Sequence, residues 1–337
     1  MSQLLKKYVQ LTQEELDLKI EEAKTELAEK GKTHLCEELI RYAGINSLIF
    51  AKIAFEKKIL YPAILYKDAT EQIRDAYIKM LDSEQIDEKL RVSNILVVLA
   101  TIGDEKVCEA FKRWEAHPRK WREKLYVGPS DYAFVGNWYI NDKGQREELT
   151  YSTCYGLEKR KKNDGEEVLV GEVAKNKCPN CQGNYFNLLT IDGRDERLAF
   201  LGIRGKISIK TCLSCIPWAT DWIFCKYQEN GESEVMPFES EDYCIYEYET
   251  LEEMREKYPL VLTKQSVSKN YCTKFEGSAI GGWPQWVDDA HYSVCPHCGK
   301  RMKHLAQLSS DDIESAGTIY VQICTHCHIA ATCYQQS

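Results

Sequence analysis

Residues 178–215 read CPNCQGNYFNLLTIDGRDERLAFLGIRGKISIKTCLSC, and residues 295–327 read CPHCGKRMKHLAQLSSDDIESAGTIYVQICTHC. Each stretch opens on a Cys-x2-Cys pair, Cys178/Cys181 or Cys295/Cys298, and closes on another, Cys212/Cys215 or Cys324/Cys327. Two close thiol pairs about thirty residues apart have the spacing of a four-cysteine zinc site. The flanks repeat as well. Tyr185, Leu188 and Ile191 follow the first pair as Met302, Leu305 and Leu308 follow the other. Gly205-x-Ile207-x-Ile209 leads into Cys212 as Gly317-x-Ile319-x-Val321 leads into Cys324. The spacing predicts a duplicated β unit stapled by two structural zinc ions.

Each Cys-x2-Cys turn points two sulfurs at one centre, and two turns complete a tetrahedron. A centre filled by four thiolates has no position left for water, so it is a staple and not a catalytic metal. In small peptides such binding is worth roughly 10–16 kcal/mol of apparent folding free energy. Pairing within each stretch is favoured, because the strand signal lies between the two pairs of each; pairing across the stretches stays open. So does a single site with one vestigial clamp. His297, His326 and His328 lie beside the second site and can stand in for a cysteine, and Cys333 is a spare thiol. Cys-x2-Cys is also a redox motif, but there one pair opens a helix in an alternating α/β pattern. Here two pairs follow the β-like runs KISIKT and TIYVQI.

Upstream, residues 1–125 read as helices. Thr12-x-x-Glu15 is a capping box ahead of Leu16, Ile20, Ala23 and Leu27. Further apolar faces run through Cys36, Leu39, Ile40 and Ala43; through Ile73, Ala76, Tyr77 and Met80; and through Val92, Ile95, Leu96 and Leu99. A last face, Val107, Ala110, Phe111 and Trp114, lies behind Asp104 as N-cap. The stretch VSNILVVLATIGDEKVCEAFKRW (92–114) resembles a HEAT-type repeat, two helices joined at a tight Ile-Gly-Asp turn. An unrelated helical bundle is the other reading. From about His117–Pro118 the composition shifts, and short alternating segments predict a mainly β remainder. The expected class is α+β: a helical domain 1–125, then a duplicated β domain 126–337. Its halves are expected at about 126–228 and 258–337, with an acidic insertion at 229–257.

Charge narrows the function. The chain has 44 basic and 52 acidic residues, a net charge of −8. Residues 1–126 are balanced at 22 of each, so residues 127–337 carry the whole surplus, 30 acids against 22 bases. A nucleic-acid binder is expected to be basic where it binds, so nucleic acid is disfavoured as a partner and a basic protein favoured. Between Lys226 and Arg255 no basic residue occurs, while ten acids do, with Phe238, Tyr243, Tyr246 and Tyr248 among them. That stretch reads either as a solvated insertion or as a docking face in which Tyr243, Tyr246, Glu247 and Glu249 meet a basic partner. No apolar run reaches the roughly eighteen residues of a membrane span, and the first residues lack the apolar block of a signal peptide. A cytoplasmic location is expected, with most cysteines reduced or metal-bound.

The stretch SAIGGWPQWVDDAHYSVCPHCGKRMKHLAQLSSDDIESAGTIYVQICTHC (278–327) resembles the YwqG-like family. It also resembles the C-terminal domain of the programmed cell death protein 2 family. The residues that carry this are Gly281, Gly282, Pro284 and Trp286; Cys295, Cys298 and Gly299; Leu305, Gln307 and Leu308; and Cys324 and Cys327. The resemblance implies an internally duplicated fold and binding in place of catalysis, as a chaperone of a basic ribosomal protein or an immunity factor. In Gly281–Trp286 the glycines suit a turn and the tryptophans suit packing beneath it; alternatively Trp283 or Trp286 is an exposed anchor. Trp218 and Trp222 pose the same choice.

No G-x-S-x-G, P-loop, H-E-x-x-H or G-x-G-x-x-G occurs. The zinc-deaminase pattern fails because no H-x-E precedes either Cys-Pro-x-Cys. Cys154 and Cys272 are candidate nucleophiles with no base beside them in sequence. The expectation is therefore a non-enzymatic, zinc-stabilised protein that binds a basic partner as chaperone, adaptor or immunity factor. The alternatives are a zinc-ribbon nucleic-acid binder and an unrecognised enzyme.

Overall fold

In the computed structural model of the chain, the described residues are all except 1–6, 9, 160–167, 220, 245–259, 274–275, 314–315 and 337. They form two compact units, 3–149 and 150–337.

In the first unit, the Thr12 side chain accepts from the Glu15 amide and the Glu15 carboxylate accepts from the Thr12 amide, which opens α1 (Gln13–Lys30). Gly31, at φ 64°, ends it in the left-handed conformation. Then come α2 (His34–Tyr42), α3 (Leu48–Glu56), α4 (Glu71–Ser83), α5 (Val92–Ile102) and α6 (Glu105–Ala116). The sequence reading missed α3. Its run LIFAKIAFE is apolar almost all round, so it carries no amphipathic period to detect. Gly103 closes α5 at φ 60°, and Asp104 caps α6 through a 3.0 Å bond from the Val107 amide. The second oxygen of Asp104 pairs with Arg74 of α4, whose side chain is buried.

The sequence places the end of the helical domain at residue 125, but the unit closes only at Leu149. Trp138 explains the difference. It is fully buried, donates from Nε1 to the Ala100 carbonyl at 2.9 Å and stacks on Phe111. Gly136 beside it has no room for a side chain, because a Cβ would stand 1.9 Å from the Ala100 oxygen. Thus the 3-10 turn Pro129–Gly136 and the hairpin β1 (Trp138–Ile140) and β2 (Arg146–Glu148) seal α5 and α6.

The second unit is antiparallel β. One sheet has three strands in the order β4 (Val168–Lys177), β5 (Asn184–Asp192), β6 (Lys206–Thr211). The other has eight: β8 (Ser233–Val235), β7 (Ile223–Tyr227), β13 (Ile329–Gln335), β12 (Thr318–Cys324), β11 (Lys303–Leu308), β10 (Ala279–Gly282), β3 (Tyr151–Lys159) and β9 (Leu260–Leu262). One short helix, α7 (Ser310–Ile313), joins β11 to β12. Ile207 and Ile209 of the small sheet and Leu305, Ile319 and Val321 of the large one belong to one core. A chain this rich in buried β-branched residues on both sheets gains its stability from that shared core.

The repeat seen in the sequence is repeated in the register. β5 pairs β6 with Phe186 opposite Thr211, Asn187 opposite Lys210 and Leu189 opposite Ile209. β11 pairs β12 with Lys303 opposite Ile323, His304 opposite Gln322 and Ala306 opposite Val321. In each, one residue is skipped: Leu188 and Leu305 are the bulges. The copies part at the next strand. β13 turns back onto β12, whereas β7 leaves β6 and pairs with β13, Cys225 opposite Ala330. The two halves are therefore interlocked through a strand of the first half seated in the sheet of the second.

Candidate metal centres

Each thiol quartet is set by two turns. In the first, the Cys178 amide donates to the Gly183 carbonyl at 2.8 Å, and Gln182 takes φ 62°. The matching turn has the Cys295 amide on the Lys300 carbonyl at 2.8 Å, with Gly299 at φ 71°. The left-handed residue lets the chain double back beneath the two sulfurs. The closing pairs leave the ends of β6 and β12, so the strand signal ahead of Cys212 and Cys324 places them.

Cys178, Cys181, Cys212 and Cys215 converge, and so do Cys295, Cys298, Cys324 and Cys327; within each group the sulfurs lie within 4.8 Å of one another. Pairing is within each half, which settles the choice left open by spacing alone. Individual separations are 3.9 Å for Cys178–Cys215, 3.5 Å for Cys181–Cys212 and 3.8 Å for Cys298–Cys324. A tetrahedron with metal–sulfur bonds of about 2.3 Å has edges of about 3.8 Å, whereas a disulfide is about 2.05 Å long. The donor set and the spacing fit a soft divalent ion such as zinc.

The electrostatics call for that ion. Burial, then the Cys178 thiolate, pushes the Cys212 thiol far above its ordinary value. Burial likewise pushes Cys215 up to about 12. Cys298, in contrast, is held down to about 7, chiefly by the Lys300 amide. Four thiols at these distances cannot all ionise against one another without a cation among them. Burial, then the neighbouring Cys178, pushes the Tyr185 hydroxyl well above its ordinary value; the matching Met302 carries no such group. The first quartet is the deeper one: Cys178, Cys212 and Cys215 are buried, while Cys298, Cys324 and Cys327 are each partly open.

The histidines are not in the quartets. His297 Nδ1 lies 3.4 Å from Cys327 Sγ, a partner to a ligand, and His326 and His328 are exposed. Cys333 is buried in β13. Cys154 and Cys272 are buried and close to each other, and burial, then Cys272, holds the Cys154 thiol protonated. Neither has the exposure of a reactive nucleophile.

The Gly281–Trp286 segment is a packed turn. Gly281 and Gly282 take φ 75° and 71°, and a Cβ on Gly281 would stand 2.3 Å from the Thr153 carbonyl. Trp286, read as packed beneath the turn or alternatively as an exposed anchor in a binding face, is buried against Tyr320 and Tyr292, with ring centroids 4.4 and 5.2 Å away. Trp283 is half-buried beneath the Lys269 ammonium, 4.3 Å from its ring. Trp222 is buried and bonds His291, whereas Trp218 is 40% exposed. Tyr243 is 46% exposed; Tyr246, Glu247 and Glu249 lie outside the described residues.

With the paired quartets in place, relatedness can be judged over the whole chain. It is 30% identical over 315 residues to the uncharacterized protein YpfL of Salmonella typhimurium, a match covering 90% of this chain and 72% of that protein. The chain belongs to the YpfL family. No family model matches it, and no solved structure does. The YpfL relative is itself uncharacterised, so relatedness extends the fold and not an activity. Among the described residues of this YpfL-family chain, no helix is long and apolar enough to cross a membrane.

Proposed function

We propose that this is a non-enzymatic, zinc-stabilised interaction protein that binds a basic protein partner as a chaperone, adaptor or immunity factor. The observation that carries the reading is the surface over the first quartet. The acidic segment is pinned there: Glu241 donates its amide to the Trp218 carbonyl at 3.2 Å, and Cys244 donates to Ser214 at 3.0 Å. Glu239, Glu241 and Asp242 are exposed beside Trp218 and Tyr243. Carboxylates around two open aromatic rings supply charge for steering and area for contact. The zinc ions act as staples that hold this surface in shape. The resemblance of residues 278–327 to YwqG-like and programmed cell death protein 2 domains supports the same role. The helical unit, with its HEAT-like pair α5–α6, is read as a second scaffold in the cytoplasm.

The test is a pull-down with zinc-loaded full-length protein at low and high salt. A parallel variant carries Trp218→Ala with Glu239→Gln, Glu241→Gln and Asp242→Asn. A single basic protein held by wild type, released by salt and lost in the variant is the expected result. Equal recovery of every bound protein by both would overturn this surface as the binding face.

A further inference from the structure

The exchange of β7 leaves a gap. In the second half the outer edge of β12 is filled by β13 along its whole length. In the first half the matching edge of β6 is met only at its start. There the Lys206 amide donates to Glu229 at 2.8 Å, and Lys206 bridges Asn230. Gly205 permits that approach, since a Cβ would stand 2.1 Å from the Glu229 oxygen. Beyond it, β6 and the β7–β8 hairpin splay apart around a groove of about 1020 Å³.

One wall of the groove runs across the small sheet, through Lys177 of β4, Asn187 of β5 and Lys210 of β6, and the other is a strand edge. β8 ends its sheet. The Gln228 amide bonds Glu232 and the Met236 amide bonds Phe224, so by the alternation of an antiparallel ladder Ser233 and Val235 direct their backbone groups away from β7. The Ser233 carbonyl is taken by Lys210 Nζ at 2.7 Å, and Asn180 holds the Phe238 carbonyl at 3.3 Å. Val235 lies between these tethers. The side chains add polarity and charge. Three lysines, Lys177, Lys210 and Lys226, line the groove against Glu232 and Glu234; Lys226 faces Glu234 across its ladder, whereas Lys177 and Lys210 face the neutral Asn184 and Asn187. Two buried polar atoms in the lining have no partner, Asn187 Oδ1 and Ser233 Oγ. Asn187 Nδ2 is committed to Glu172, so its oxygen needs a donor.

We propose that this groove binds an extended acidic peptide, which adds as a strand to the Val235 edge of β8 while Lys177 and Lys210 take its carboxylates. Backbone pairing gives the affinity and the lysines give the sign. A single-stranded nucleic acid suits it less, because it cannot return the backbone pairing that the open edge of β8 offers, and Tyr185 and Tyr227 are buried in the wall. The proposal is independent of the basic-partner reading, which uses the oppositely charged Trp218 surface.

The probe is a fluorescein-labelled peptide of about six residues, enough to run the groove, alternating valine and glutamate. Its binding to zinc-loaded full-length protein is read by fluorescence anisotropy. Three comparison probes are used: lysine in place of glutamate, the original peptide N-methylated at alternate amides, and an oligothymidylate of about twelve nucleotides. The glutamate peptide is expected to bind at least roughly tenfold tighter than the lysine peptide, a difference of about 1.4 kcal/mol. N-methylation is expected to abolish binding. Lys177→Glu with Lys210→Glu should reverse the preference, and Val235→Pro, which removes the edge amide, should abolish it. Equal binding of the N-methylated peptide, preference for lysine, or binding of the oligothymidylate alone would each overturn the proposal. The N-methyl comparison uses wild-type protein, so it stands even if Val235→Pro fails to fold.

Discussion

Leu188 and Leu305 are the same bulge made twice, each the one skipped residue between its own strand and the strand that leads into the second cysteine pair. Both side chains are buried, so the bulges turn an extra residue into the core and not out to solvent. Truncating either to alanine should cost about 2–5 kcal/mol. Urea unfolding of Leu188→Ala and Leu305→Ala measures both. A large cost at one and none at the other would mean that the two copies are no longer equivalent supports.

The quartets should empty in order. Cys298, Cys324 and Cys327 are partly open, while three of the four thiols of the first quartet are buried. A zinc chelator with a coloured reporter should therefore release metal in two phases of one equivalent each. Cys298→Ser should remove the fast phase and Cys178→Ser the slow one. Because such a centre contributes on the order of 10 kcal/mol to folding, each variant should also lower the melting temperature sharply. An unchanged metal content in either variant would refute that site.

Acid should weaken the fold through His304. This side chain is buried in β11 and burial holds it down to about 3, against 6.5 when exposed. A histidine with a depressed folded value contributes full stability above 6.5. That stability is lost as the pH falls from 6.5 toward 3, by up to ~1.4 kcal/mol per pH unit. His304→Gln removes the titration. The difference in unfolding free energy between wild type and His304→Gln cancels the thiols common to both, and it should slope with pH only in that window. A flat difference would show that His304 meets a compensating group.

Asp104 does two jobs, capping α6 and pairing with Arg74. Asp104→Ala should cost about 1–2 kcal/mol for the cap, and more if the Arg74 guanidinium is left without its partner. Asp104→Asn keeps a capping oxygen and loses only the charge, so it should cost less. Thermal melts of the two variants give the order; equal costs would assign the stability to the ion pair, which both variants remove.

Whatever rests on short spacing was legible in the amino-acid order. The cysteine quartets, the capped helices and the β run before each closing pair depend on residues close in the chain, where turn geometry and periodicity act. The duplication was legible too, because the Gly-x-Ile-x-Ile/Val flank is a local pattern. Helix α3 stayed hidden because a run that is apolar almost all round shows no period. Everything else was set by long-range contacts. Pairing of the quartets within each half depends on which strands are neighbours. Trp138 joins the helical unit because the Ala100 carbonyl waits for its Nε1. Trp286 is buried because Tyr320 reaches it from β12. The groove beside Val235 exists only because β7 crossed to β13. Lys177, Lys210 and Val235 are ordinary residues of a strand pattern until that crossing places them around one groove, and long-range pairing leaves no local signature.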